Sequence, residues 1–160
     1  MEKYLVTKEE IENHEGIEKV HFLNSGARRV NKSLGDMTGL TGMGFHIIEI
    51  QPGYESTELH MHYHEDECVY ILEGEAEAII GDEIIPVKAG DFIGYRAGGI
   101  PHKLKNSGSS VLKCIVAGQR LLHDVGDYPN KGKRLYRNKG MKWNLVDISN
   151  IIEPIAGKKS

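Results

Sequence analysis

His60, His62 and His64 fall within five residues of one another and are followed at once by Glu65, Asp66 and Glu67. A β-strand turns residues i and i+2 to the same face, so alternate histidines on a strand aim two imidazoles at one point. A carboxylate a few residues later, beyond a tight turn, can close on that point from the neighbouring strand. Imidazole nitrogens with a carboxylate oxygen suit first-row divalent metals and leave coordination positions for water or a substrate. Other chemistries are poorly supplied. The chain has no Cys-x-x-Cys, no phosphate-cradling glycine loop and no nucleophile elbow, and the stretch GMGF at 42–45 is too short for a dinucleotide fingerprint.

The spacing sharpens the reading. From Gly53 to Gly74 the chain has the form G-x6-H-x-H-x4-E-x6-G, with His60, His62 and Glu67 at the marked positions. From Gly90 to Asn106 it has the form G-x5-R-x-G-x3-H-x3-N, with Arg96, Gly98, His102 and Asn106 at the marked positions. These two stretches resemble the two signatures of the cupin family. The first departs from the usual form by one residue in its opening gap. The second carries Arg96 where proline is usual and one extra residue before His102. The flanks LGDMTGLTGMGF (34–45) and VAGQR…DVGDYP (116–129) are similar to those of small single-domain bacterial cupins related to sugar-phosphate isomerase-like proteins.

That resemblance implies an all-β fold, the double-stranded β-helix or jelly-roll barrel. It also implies one divalent transition metal per chain, held by His60, His62, Glu67 and His102, with zinc, manganese, iron, nickel, cobalt and copper all suited to the set. His102 is expected from a strand across the barrel. His64 stands two residues from Glu67, too close for the turn, and is assigned to the rim of the site or to ligand contact. Glu65 and Asp66 are read as solvated turn residues, and Asn106 as holding a turn.

The elements that must position these residues are legible in part. Thr7-Lys8-Glu9-Glu10 has the capping-box form and predicts one short helix ending near Gly16. After it, 45–50, 68–72, 75–80, 83–87, 91–95 and 111–117 are short runs rich in β-branched and aromatic residues, separated by Gly, Pro or Asp. Gly81-Asp82 predicts a two-residue hairpin turn. Strands so spaced, without helical periods between them, predict an antiparallel sandwich or barrel. No internal repeat is present, so the chain is one barrel unit. It divides into an N-terminal extension (1–44), a barrel core (45–118) and a C-terminal extension (119–160) packed on the same domain.

In ECVYILE (67–73) both faces are apolar, which demands a cover for the outer one. The N-terminal segment or a second copy can supply it, and the resemblance favours a homodimer. Tyr70, Phe92 and Tyr95 are read as core.

Composition narrows the partners. At 160 residues and 39% hydrophobic content the chain suits one domain with a real core. Its formal charge of −3 makes no electrostatic case for nucleic acid, and the basic stretch 131–142 reads as a solvated face. No apolar run reaches membrane-spanning length and the N-terminus lacks a signal-peptide core, so a cytoplasmic location and no membrane partner are expected. Cys68 and Cys114 sit in apolar strand-like runs, as reduced buried thiols do. His14, His21, His46 and His123 have no partners by spacing.

Two classes of function stay open. One is a metal-dependent enzyme on a small polar molecule, either an isomerase of the sugar-phosphate type or an oxygenase. The other is a non-catalytic module that binds a small ligand. Arg96 bears on the ligand, because a guanidinium where proline is usual would grip a phosphate or carboxylate at the barrel mouth.

Overall fold

A computed structural model describes residues 3–155 and 157. It is an all-β jelly-roll barrel. The strands are β1 (Ile17–His21), β2 (Asn24–Ser33), β3 (Met43–Ile50), β4 (Met61–His62), β5 (Glu67–Glu73), β6 (Glu75–Ile80), β7 (Glu83–Lys88), β8 (Phe92–Tyr95), β9 (His102–Lys105), β10 (Leu112–Gln119), β11 (His123–Tyr128), β12 (Lys133–Asn138) and β13 (Asn144–Asp147). Two short helices, α1 (Lys8–Asn13) and α2 (Leu34–Met37), flank the β1–β2 hairpin. The capping box forms as expected: Thr7 Oγ1 accepts from the Glu10 amide and Glu10 Oε2 accepts from the Thr7 amide.

One wall is a six-stranded antiparallel sheet in the order β1-β2-β3-β10-β5-β8. The other consists of a β13-β12-β11-β4 sheet and a β7-β6-β9 sheet. A bridge between His60 and His102 links these two. Gly81 takes φ +60° in the β6–β7 hairpin, a conformation that costs glycine little. Gly74, at φ +89° between β5 and β6, has the Val111 carbonyl 2.9 Å from where a Cβ would stand, so a side chain there is excluded on two counts.

The inward face of each central strand changes character along its length, and that change makes the site. Ile48 and Ile50 on β3, Val69 and Ile71 on β5, and Leu112 and Cys114 on β10 pack against Ala76, Ala78 and Leu104 of the opposite wall. Two residues further along the same faces stand His46 on β3 and Glu67 on β5, with Val116 of β10 paired opposite His46. Period-2 alternation therefore builds a dry core at one end and carries the same face into a polar cavity at the other. Both cysteines are free thiols, Cys114 in the core and Cys68 half-buried. Tyr95 faces inward, but Tyr70 and Phe92 lie on the outer face of this sheet, 42% and 66% exposed.

Candidate metal centre

Residues 63–66 carry the chain from one wall to the other, so the strand pairing that holds His60 and His62 is distinct from the one that holds Glu67. His62 lies on β4 opposite Gly126 of β11, and Glu67 opens β5 between Gly118 of β10 and Tyr95 of β8. Ligand atoms of His60, His62 and Glu67 come within 4.8 Å of one another. His102 Nε2 lies 3.9 Å from Glu67 Oε1. His102 does not reach the cluster from across the barrel: the His60 and His102 backbones are hydrogen-bonded to each other in both directions, at 3.2 and 2.8 Å. The two rings stand side by side, centroids 4.9 Å apart.

Each imidazole is fixed through the same atom. His60 Nδ1 meets the Glu58 carbonyl at 3.0 Å, His102 Nδ1 meets the Ile100 carbonyl at 3.1 Å, and His62 Nδ1 meets Asp124 Oδ2 at 2.6 Å. Carbonyl and carboxylate oxygens only accept, so the hydrogen sits on Nδ1 and the Nε2 lone pair is free in all three rings. His102 Nε2 is buried without a hydrogen-bond partner. An orphaned buried acceptor beside two more free Nε2 atoms and a carboxylate fits a divalent cation, which satisfies all of them together. Tyr95 stacks on His102 with centroids 3.6 Å apart and planes within 5°, fixing the ring's tilt.

Burial sets the charge state. It is the main cause that keeps His60 well below its ordinary value, with the neighbouring His62 and His102 adding to it, and it takes His102 to about 4. Both are therefore neutral donors at neutral pH. Burial also pushes the Glu67 carboxyl up. Burial of these imidazoles has a consequence for the metal-free chain. The unfolded chain takes a proton on each imidazole near pH 6.5, whereas folded His102 resists until about 4, so stability is full above that window and is lost as pH falls through it. Glu67 acts in the opposite sense, since its folded carboxyl takes a proton more readily than its unfolded one. A net loss of on the order of 2 kcal/mol between neutral pH and pH 4 is expected from urea unfolding of chelator-treated protein. A flat profile would contradict this burial.

Behind His62 lies a second group that the sequence did not disclose. Asp124, on β11 and 1% exposed, accepts from His62 Nδ1, from the His64 amide at 3.1 Å and from Arg137 Nη2 at 2.6 Å. Arg137 also donates to Glu65. Burial opposes ionisation of Asp124, but the His62 and Arg137 hydrogen bonds outweigh it and hold the carboxyl well below the usual range. His62, Glu65 and Asp124 are close enough to suggest a second cation site, yet the Arg137 guanidinium already fills that role. Glu65 is thus no solvated turn residue: it is 6% exposed, ion-paired, and accepts the Leu121 amide. Arg137, read from sequence as part of a solvated basic face, is half-buried against it.

The cluster opens into a cavity of about 390 Å³. An inner pocket of about 190 Å³ continues towards the core and shares Arg29, His46, His60, Glu67 and Val116 with it. His21 and Tyr128 also line the cavity, and Asn31 lines the inner pocket, where its amide meets His46 Nδ1 at 3.3 Å. The two residues assigned to ligand contact line neither space. His64 is exposed, its ring beside His123. Arg96 is exposed just past the end of β8, and it lines a neighbouring groove of about 630 Å³ with Cys68, Gly94 and Ala117, which meets the main cavity at Asp66, Glu67, Gly118 and Gln119. Asn106 holds a turn, its amide donating to the Ile50 and Ser110 carbonyls and its oxygen accepting the Gly108 amide.

Known proteins share this arrangement of strands. The Cupin domain profile matches residues 46–118. A crystal structure from Acidithiobacillus ferrooxidans named "Putative sugar phosphate isomerase" is 50% identical and superposes with a TM-score of 0.91, covering 96% of this chain and 97% of that one. A sugar phosphate isomerase from a cupin superfamily, from Silicibacter pomeroyi, superposes with a TM-score of 0.75 over 84% of this chain and 88% of that one; at 22% identity this is a likeness of fold. An uncharacterised protein of Methanocaldococcus jannaschii is 41% identical over 66 residues, and the match spans 52% of that protein's length, so this chain covers about half of that curated relative.

Proposed function

The chain belongs to the cupin superfamily, and on that premise we propose that it is a metal-dependent enzyme of the sugar-phosphate isomerase type, with one divalent cation held by His60, His62, Glu67 and His102. The observation that carries this reading is the common anchoring of the three imidazoles: every Nδ1 is tied to an acceptor-only oxygen, and every Nε2 is left free beside Glu67. The name of the Acidithiobacillus ferrooxidans protein, half of whose residues are shared, supports the reaction class.

A bound divalent cation would polarise a carbonyl oxygen and make the C–H next to that carbonyl acidic. The chain's own residues do the rest. The cavity, about 390 Å³, has room for a molecule of sugar-phosphate size. His46 lines it, kept neutral mainly by burial and secondarily by the Arg120 charge nearby, and its imidazole is a group able to take up and return a proton.

The test is metal analysis of untagged protein followed by turnover. Aldose and ketose phosphates incubated in deuterium oxide should interconvert with deuterium entering the carbon next to the carbonyl, and a chelator should abolish it. Oxygen consumption in place of exchange would make the protein an oxygenase. Metal binding with neither reaction on any substrate would make it a non-catalytic ligand-binding module.

A further inference from the structure

We propose that Lys19 and Arg29 form an anion-binding subsite in the barrel cavity, which takes the phosphate or carboxylate group of a small ligand whose other end reaches the His60, His62 and Glu67 cluster. Where the ligand's far end sits rests on the functional reading above; the anion subsite itself does not.

Lys19 of β1 and Arg29 of β2 are cross-strand partners, so their side chains leave the hairpin on the same face. Two like charges directly opposite one another destabilise a sheet, and an anion held between them would relieve that repulsion. Among the described residues neither meets a carboxylate within ion-pair distance. Arg120, Arg134 and Arg137 of the same chain each do, with Asp36, Asp127, and Asp124 with Glu65. Arg29 donates through Nη1 to the Ser56 carbonyl, but its Nε is buried with no hydrogen-bond partner. A buried guanidinium nitrogen left unpaired is costly and calls for a partner that the chain itself does not provide.

Both side chains line the main cavity and also its inner pocket, in company with His60 and Glu67. Glu67 is the carboxylate whose field Arg29 feels. It stands beyond ion-pair distance, however, and leaves the Arg29 Nε hydrogen unmet whether or not a cation is bound. The positive charge of the hairpin therefore lacks a direct counterpart among the described residues. Glu65, Asp66 and Glu67 line the same cavity, but Glu65 is held by Arg137, and the wall formed by the β1–β2 hairpin is positive, so it draws an anionic group to that side. The flat guanidinium adds geometric selectivity for carboxylate and phosphate oxygens, and Lys19, on its flexible stem at the exposed hairpin, adds a second point charge.

The chelator-treated chain is titrated with ribose 5-phosphate, gluconate, inorganic phosphate and ribose, and binding is followed by thermal shift and calorimetry. At millimolar concentrations ribose 5-phosphate or gluconate should raise the melting temperature where ribose does not, and whichever protects more identifies the anion as phosphate or carboxylate. Lys19→Met and Arg29→Met should each weaken that binding by between about ten- and a hundredfold, the worth of a hydrogen bond to a charged group. Because Arg29→Met can also disturb folding, Arg29→Lys is measured beside it. That variant keeps the charge but not the fork, and should bind more weakly than the parent and more tightly than Arg29→Met. Lys19 is exposed, so its loss leaves the fold intact. The proposal is overturned if ribose binds as tightly as ribose 5-phosphate, if none of the anions protects, or if Lys19→Met and Arg29→Lys bind as the parent does. Since metal is absent throughout, anion binding without any metal affinity would sink the functional reading and leave this subsite standing, and the reverse pattern would do the opposite.

Discussion

His60→Ala protein should come off purification with most of its divalent metal gone, whereas His64→Ala protein should carry about as much as the parent. His60 Nε2 is one of the free donors of the cluster, whereas His64 is exposed and outside it. Loss of a direct ligand should weaken binding by more than the roughly 10- to 100-fold that loss of an outer partner causes. Mass-spectrometric metal content and a competition titration give the two numbers. A stability readout separates metal loss from misfolding. Added metal at about a hundred times its Kd should stabilise the parent by about 2.7 kcal/mol and leave His60→Ala almost unmoved. The melting temperatures of the metal-free forms show what the cavity left beside His102 and Tyr128 costs by itself. Should His64→Ala empty the site while His60→Ala keeps it, the register is wrong by two and the histidine pair is His62 and His64.

That register was open to reading from sequence because the residues that set it are close together. His60, His62 and Glu67 lie within eight positions, and period-2 alternation with one turn was enough to bring them to a point. The strands of the central walls were legible too: in 75–80 an apolar inward face alternates with a more polar outward one, and 45–50 is a short β-branched and aromatic run apolar on both faces. The two ends of the chain were not. β1 and β2 present Lys19 and Arg29 to a polar cavity, so inward positions carry charge and the alternation that marks a strand disappears. β12, inside the stretch read as a solvated basic face, holds Arg134 and Arg137 at half-buried positions on opposite faces, where Asp127 neutralises the first and Asp124 with Glu65 the second. Charge was taken as a sign of solvent, and here it marks paired groups, of which Arg137 lines the cavity. Arg96 stands past the end of β8, beside a groove that meets the cavity at Glu67, where strand alternation no longer says which way a side chain turns. Asp124 left no local signal at all, being 62 residues from the histidine it holds.

Asp124 is where that long-range contact can be measured. It is a positioning residue: it touches no ligand, but its Oδ2 receives the His62 Nδ1 hydrogen and thereby directs Nε2 at the cluster. Asp124→Asn keeps size and shape and leaves one acceptor oxygen where there were two. The amide cannot accept from His62, Arg137 and the His64 amide together, and if its nitrogen faces His62 it can force the hydrogen from Nδ1 to Nε2, which removes the metal donor. Metal affinity should fall about 10- to 100-fold. The metal-free protein should also lose stability, since a buried carboxylate that faces a guanidinium is gone; the loss should be about 3 kcal/mol or less, because Arg137 keeps Glu65. These two effects must be read separately. A purely structural Asp124 would lower the metal-free unfolding free energy and leave metal affinity within about twofold of the parent, below the outer-partner range. Glu65→Gln is the matched control: it breaks the other half of the same Arg137 network, without touching His62, and should cost stability while sparing the metal.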